Sequence, residues 1–462
     1  MQSSYFFKVS LILTSISLVL ITILEVNFSS FIIPILSLII SVLVLYVIGI
    51  RKKIEYLAFI FFFSVGLFWI SISTFFRIYL FDYAQNTADA FMFYQRSIDF
   101  NNNENINELL FLTEGSLAIF IWKSIYRFFF ILGFNNTPLI GLIVNNIIMS
   151  LTAIIGVKII NTIFENKIEK AKNFILYFSS CGMFWMFSSV HVRDSFIVLF
   201  VSLLFFFAIR QMIFHSLKYK IYFLLSILLF SALFPFLRSE FYFIPAFIFF
   251  CTFLPSILIE KKKIYKYILF FILCLSLFLF FSSINLIEFN PFEALIKGQK
   301  GYQEEVDATA SASSLGVKLI IDQQPIIRFF AGFLYLQIYP IPFWYGFKTD
   351  TIYDFYKSIN LFFLWFTLSS IYVCFREINK YKLLIKKVVL FSFFVYVFMV
   401  FAIAMSSLET RHLAPFLVPL IIVACTPDYK NLINRKRFKT AFASILFFIF
   451  LVHLSWFILK YT

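Results

Sequence analysis

Charge is scarce in this chain. Only 14% of its 462 residues are Asp, Glu, Lys or Arg, whereas a water-soluble protein carries about 25%. That deficit excludes the soluble globular and disordered classes. Cysteine numbers only 5, so a disulfide scaffold is excluded as well. Cys181, Cys251, Cys274, Cys374 and Cys425 all fall in or at the ends of apolar runs and read as small buried hydrophobes. Glycine and proline, 12 each, are too few for a collagen-like chain. Histidine is rarer still, with 4 residues. No His/Cys/Asp spacing has the pattern of a zinc or iron site, so no metal and no cofactor is expected. What is abundant is apolar: 61% of the chain is hydrophobic and 71 residues are Phe. Such a chain uses the bilayer as its solvent.

The net charge of +15 raises nucleic acid as a partner, and its distribution removes it. A nucleic-acid binder gathers its basic residues into one patch or stripe. Here they recur in short bursts between apolar runs, as membrane topology requires.

A spanning helix needs about 20 mostly apolar residues. Suitable runs lie near 9–26, 29–50, 56–76, 138–164, 173–190, 195–213, 221–237, 241–259, 267–285, 359–375, 387–405, 412–426 and 440–459. The first run lacks a small-residue cleavage site and is followed at once by another, so it reads as a retained helix. The expected fold class is therefore all-α: a polytopic integral membrane protein of about 13 transmembrane helices. It is read as a single transmembrane domain over 1–462, with no internal repeat.

Basic loops set the orientation. The stretches at 51–55, 165–172, 215–220, 260–266, 376–387 and 430–439 are all rich in Lys and Arg and should be cytoplasmic. One arrangement satisfies all six, with the N-terminus cytoplasmic in a bacterial inner membrane. It requires 114–133 and 329–346 not to cross. The first carries Glu114, Lys123 and Arg127, costly at mid-bilayer. The second holds the string YPIPFWYG, which no continuous helix tolerates. Both read as interfacial segments on the outer face. The inner side then carries a surplus of +19 and the outer side a balance of −4, which add to the net charge of +15. Two hydrophilic stretches, 77–113 and 286–328, become large periplasmic loops. With their interfacial segments they extend over 77–137 and 286–358.

With the sides fixed, polar residues gather in the outer turns. Asp82 and Asp89 follow the third run. His191, Arg193 and Asp194 fill the turn HVRDS, Arg238 and Glu240 the turn FLRSEF, and Glu409, Arg411 and His412 the turn LETRH. Each short turn holds a cation beside a carboxylate. An interfacial Arg is often only an anchor to lipid phosphate. Several beneath two large loops fit a bound phosphate or pyrophosphate better, because the guanidinium fork matches its oxygens and stays charged. A nearby carboxylate suits a general base, so Asp89, with Asp82 as alternative, is the candidate base. Lone His191 and His412 read as hydrogen-bonding residues of the same site.

The order of these segments resembles a known family. An acidic first outer loop (NTADAFMFYQ) is followed by an interfacial helix (TEGSLAIFIWKSIYRFFFILG) and a span opening after NNTPLIGLIVNN. A basic-Asp turn (HVRDSFIVLF), an Arg turn (PFLRSEFYFIP) and a late Arg before a Pro-rich helix (RHLAPFLVPLIIVA) complete it. This resembles the GT-C superfamily of polytopic glycosyltransferases, which includes bacterial O-antigen and capsule polymerases. The resemblance implies transfer from undecaprenyl-linked glycans to a glycan acceptor at the periplasmic face; no metal-binding pair is evident in the sequence, so metal-independent transfer is expected. It implies Asp89 as the acid that serves as base or orients the acceptor, and Arg238 and Arg411 as holders of the lipid phosphate. A chain-length regulator is a candidate further partner. A single-sugar transferase and a lipid-linked oligosaccharide flippase are the alternatives. A flippase should instead place ionisable residues along a path through its spans and often show duplicated halves.

The topology makes a direct prediction. A cysteine at Ser311→Cys should react with an impermeant thiol reagent in cells whose outer membrane alone is permeabilised. Reaction only after inner-membrane lysis would overturn the orientation and every site assignment built on it.

Overall fold

The computed structural model describes residues 2–80, 88–99, 115–238, 241–259, 320, 323–341, 343–347, 352–405 and 407–461. Among them the regular elements are all helical. The amino-terminal part holds α1 (Gln2–Glu25), α2 (Ser29–Val47), α3 (Lys53–Tyr79), α4 (Ala88–Ile98) and α5 (Ser116–Ile131). The middle holds α6 (Pro138–Ile163), α7 (Ile168–Ser179), α8 (Gly182–Ser189), α9 (Asp194–Phe214), α10 (Leu217–Leu233), α11 (Ile244–Cys251) and α12 (Leu254–Ile259). The last part holds α13 (Pro325–Ile338), α14 (Ile352–Glu377), α15 (Leu383–Met405), α16 (Thr410–Leu413), α17 (Leu417–Cys425) and α18 (Leu432–Tyr461).

Among the described residues, 9 helices are long and apolar enough to cross a membrane. The chain is thus a multi-pass, all-helical membrane protein. Each of the nine covers one of the thirteen apolar runs. Three other runs are built differently from a single span. The run at 173–190 is split into α7 and α8, that at 241–259 into α11 and α12, and that at 412–426 into α16, a 3-10 turn and α17. Proline explains two of the breaks: Pro245 and Pro255 open α11 and α12, and Pro415 sits in the 3-10 turn. Lacking an N–H and clashing with the preceding turn, proline is stable only where a helix begins. The run at 267–285 lies outside the described residues.

The first break has a different cause. Gly182 opens α8 against α14 so closely that a Cβ there would lie 2.9 Å from the Asn360 backbone nitrogen. Asn360 Oδ1 accepts the Met183 N–H at 3.3 Å, and the Trp185 indole donates to the Ser179 carbonyl at 2.8 Å. The groups freed by the break are thereby satisfied inside the protein, as a bilayer demands. Buried serines do the same within helices. Ser150, Ser188, Ser369 and Ser392 each donate to the carbonyl four residues back, which hides a hydroxyl that apolar surroundings would otherwise penalise.

The core lies around α3, α6, α8, α9 and α17, where α6 alone buries 20 residues along nearly its whole circumference. A helix apolar all round is a buried one. The outermost helices, α1, α2, α10 and α18, leave large apolar side chains such as Leu11, Leu43, Leu228 and Phe447 exposed. In water that surface would be prohibitive; against lipid it is the expected exterior.

Helix ends are tied at two poles. At one, Lys52 donates to Asn166, Lys170 to the carbonyls of Thr426 and Pro427, and Asn434 to Glu377. These contacts join four of the Lys/Arg-rich loops at one end of the bundle. Lys170 caps α17 with a cation at its negative dipole end. At the other pole, Arg411 pairs with Asp89 and Arg238 with Asp194.

The α8–α14 contact is testable. Gly182→Leu should destabilise the protein by about 1–3 kcal/mol, the usual cost of overpacking a full core, while Ser180→Ala, an exposed position, should be neutral. Thermal melts in mild detergent measure both, and an unchanged melt for Gly182→Leu would refute the close contact.

Candidate functional site

The turn between α8 and α9 is held by one side chain. Asn145, on α6, is fully buried. Its amide nitrogen donates to the carbonyls of Val190 and Val192, each at 3.0 Å. Its amide oxygen accepts the Trp122 indole and the Ser195 hydroxyl, each at 3.1 Å. All four hydrogen-bonding positions of the carboxamide are used. The turn therefore cannot rotate, and Arg193 and Asp194 leave it in fixed directions.

His191 sits inside that clamp. It is wholly buried, 4.2 Å from the Trp122 ring centroid and within 6.1 Å of Tyr94 and Tyr126. Gly141 makes room for it, since a Cβ there would fall 2.1 Å from the imidazole. Neither ring nitrogen finds a hydrogen-bond partner. Burial pushes its pKa down to about 3, so the ring is neutral at any physiological pH. His191 packs inside the turn against Trp122, Tyr94 and Tyr126.

Asp194 is at the start of α9, buried, where a carboxylate also suits the positive helix end. It accepts from Arg238 at 3.4 Å, and both side chains are almost fully buried. Arg238, just past the 3-10 turn (Phe234–Phe236) that follows α10, in turn lies over the Phe241 ring at 5.5 Å. Arg193 stacks over Phe93 of α4 at the same distance. Asp89, one turn earlier on α4, is half exposed and accepts from Arg411 at 3.0 Å. Arg411 itself lies 5.8 Å from the Tyr353 ring centroid. The expected cation–carboxylate partnerships exist, but they run between turns that are far apart in sequence. Asp82 and Glu240 lie outside the described residues.

Three further ionic groups belong to this cluster. Lys357, on the second turn of α14, meets Glu409 at 3.0 Å and Asp354 at 3.3 Å. Glu409 also caps α16 by accepting the Arg411 backbone N–H at 3.4 Å. Burial raises the Glu409 carboxyl, but Lys357 and Arg411 outweigh it and hold the group below the ordinary carboxylate range. His412 is buried and hydrogen-bonds Ser407 through Nδ1 at 2.7 Å. Arg193, Arg238, Arg411 and Lys357 all act electrostatically on it. Asp89, Asp194 and Glu409 act likewise on Arg411.

The structure thus gathers four cations and four carboxylates from α4, α9, α10, α14 and α16 into one place. Lys357 and Asp354 were not among the sequence candidates. Their signal was an Asp and a Lys three residues apart in IYDFYKS, on one face at the opening of an apolar run. Among the described residues, no three His, Cys, Asp or Glu side chains group to hold a metal ion. Chemically, the cluster can bind an anion wherever a carboxylate gives way. Asp89 is the place, being the most exposed of these paired acids at 50%.

The Lys357 arrangement predicts a rescue. Lys357→Met strands Glu409 and Asp354 and should lower stability. The scale is the roughly 3–5 kcal/mol lost on breaking a buried ion pair, reduced by the partial exposure of Glu409. The double change Lys357→Met with Glu409→Gln should recover much of that loss in a thermal melt. Equal melts for the single and double variants would show that the two groups do not interact. Comparison of the chain with protein-family models, curated proteins and solved structures gave no match.

Proposed function

We propose that this chain is a membrane glycosyltransferase of cell-surface polysaccharide synthesis. Its donor is an undecaprenyl-(pyro)phosphate-linked sugar, used at the periplasmic face of a bacterial inner membrane. The observation that carries this reading is the set of ion pairs that joins Arg238, Arg411 and Lys357 to Asp194, Asp89 and Glu409, at the pole opposite the Lys/Arg loops. A lipid phosphate brings several charged oxygens to a membrane interface. Guanidinium forks meet two such oxygens at once and do not lose their proton there. The positive-inside bias assigns the basic pole and the N-terminus to the cytoplasm, and the ionic cluster to the outer side. The full topology in this reading has thirteen crossings, with 114–133 and 329–346 on the outer interface.

The Asp89–Arg411 pair gives the reaction an order. Before substrate arrives, Arg411 engages the half-exposed Asp89. The donor phosphate takes that place at Arg411, and the released carboxylate is free to act as general base. It removes the proton from the acceptor hydroxyl as the oxygen attacks the sugar's anomeric carbon. The bond from that carbon to the phosphate oxygen breaks, and the charge on the leaving lipid phosphate is met by Arg411 and Arg238. Asp194 keeps Arg238 aimed. If Asp89 does not serve, Asp82 is the next candidate.

Repeat-unit polymerisation is favoured over single-sugar transfer, because the topology read from the basic loops puts both long hydrophilic stretches, 77–113 and 286–328, on the outer side. Two bulky lipid-linked oligosaccharides need that room. A flippase would need ionisable groups along a path through the membrane, whereas the ion pairs described above gather at the two poles.

Three substitutions test the reading by complementation of long-chain surface polysaccharide. Arg238→Lys and Arg411→Lys keep charge but lose the fork, and activity should fall substantially in each. Asp89→Asn should lose about 10²–10⁴-fold, the usual contribution of general base catalysis, with membrane insertion unchanged. Wild-type chain length from Asp89→Asn would remove Asp89 as base.

A further inference from the structure

A second feature lies at the basic pole and is independent of the glycosyl-transfer reading. Two cavities meet there, sharing Asn173 and Tyr429 in their walls. The larger, about 460 Å³, is a slot between α7, α14 and α18. Its wall is aromatic and continuous: Phe366 packs on Tyr177 at 5.5 Å and on Phe438 at 4.8 Å, and Phe438 on Tyr429 at 5.7 Å. Leu176, Ser180 and Phe366, on its rim, are exposed, so the slot opens on the apolar flank of the bundle. The smaller cavity, about 270 Å³, is polar and lies nearer the helix ends. Lys170, Lys172, Lys430 and Arg435 line it against only two carboxylates, Glu169 and Asp428.

An apolar slot on a membrane-facing flank that ends in a cationic pocket has the form of an amphiphile with a negative head. A free phosphate would use only the smaller cavity and leave the aromatic slot without purpose. A zwitterionic lipid would bring its own ammonium to a pocket that already carries excess positive charge. We infer that this combined cavity binds an anionic phospholipid from the leaflet facing the basic pole, with the acyl chain between Leu176, Phe366 and Phe438 and the phosphate among Lys172, Lys430 and Arg435. Anionic headgroups are drawn to such juxtamembrane basic clusters by the ordinary electrostatics of the membrane surface. Lys170 has a different part: it is committed to the carbonyls of Thr426 and Pro427 at 2.7 and 2.6 Å, and fixes the pocket wall. The lipid would bridge α7, α14 and α18, and therefore hold α18 to the bundle.

Native mass spectrometry of the full chain in mild detergent tests this directly. The protein is titrated with equimolar phosphatidylglycerol and phosphatidylethanolamine of identical chains. Wild type should retain the anionic lipid several-fold over the zwitterionic one. The double variant Lys172→Glu with Arg435→Glu should lose that preference. The double variant Lys218→Glu with Lys220→Glu, in the first turn of α10, should keep it. Ser180→Trp, which fills the slot without touching a charge, should lose retention of both lipids. Equal retention of the two lipids by wild type would overturn the inference. So would an intact preference in the Lys172/Arg435 variant or in Ser180→Trp, or a loss of preference in the Lys218/Lys220 control.

Discussion

The ionic pole of this protein depends on a single carboxamide. Asn145 sits in the third turn of α6, the most buried of the nine long apolar helices, and spends all four of its hydrogen bonds on its neighbours. Two go to the carbonyls on either side of His191, one comes from α5, and one from the first turn of α9. A buried amide in apolar surroundings is costly unless every position is satisfied, and a fully satisfied one defines a unique arrangement. Three elements thereby share one fixed point. Arg193 and Asp194 project from that point, and the rest of the cluster is built against them.

The same logic governs the charges. In a low-dielectric setting an unpaired ion is intolerable, so each described carboxylate of the cluster is matched to a cation. Asp194 with Arg238 is deeply buried and static in role. Asp89 with Arg411 is more open, and Glu409 with Lys357 lies between. This gradient of exposure turns a structural ion network into a candidate binding site. In the proposed reaction, the donor phosphate exchanges with the most exposed acid and leaves the deeper pairs as scaffold. The basic pole obeys the opposite rule: cations there exceed carboxylates.

Helix breaks at α7–α8, α11–α12 and α16–α17 belong to the same account. Each interrupts a backbone ladder that lipid would not tolerate, and each is embedded in protein. The 3-10 turn before α17 follows directly on Arg411 and His412, so the proline that breaks the helix also sets the place where the cluster's Arg leaves it.

Much of this was already written in the sequence. Scarce charge and long apolar runs dictate an all-helical membrane protein, because only internally bonded helices suit a chain of this kind in lipid. The bursts of Lys and Arg mark one end of the bundle, and the structure does join four of them there. The turns HVRDS, FLRSEF and LETRH were legible as polar, since charge stands out against an apolar background. What the sequence could not reveal is who pairs with whom. Asp89 lies 322 residues from Arg411, and such a contact has no local periodicity to announce it. Lys357 was hidden because an Asp–Lys pair at the opening of an apolar run looks like a local helix-end pair until Glu409 is seen beside it. His191 lies buried among Trp122, Tyr94 and Tyr126, a surrounding that only helices meeting in space could create. Composition determined the solvent and the helices; only tertiary contact, through the cost of leaving any buried polar group alone, decided where the chemistry could stand.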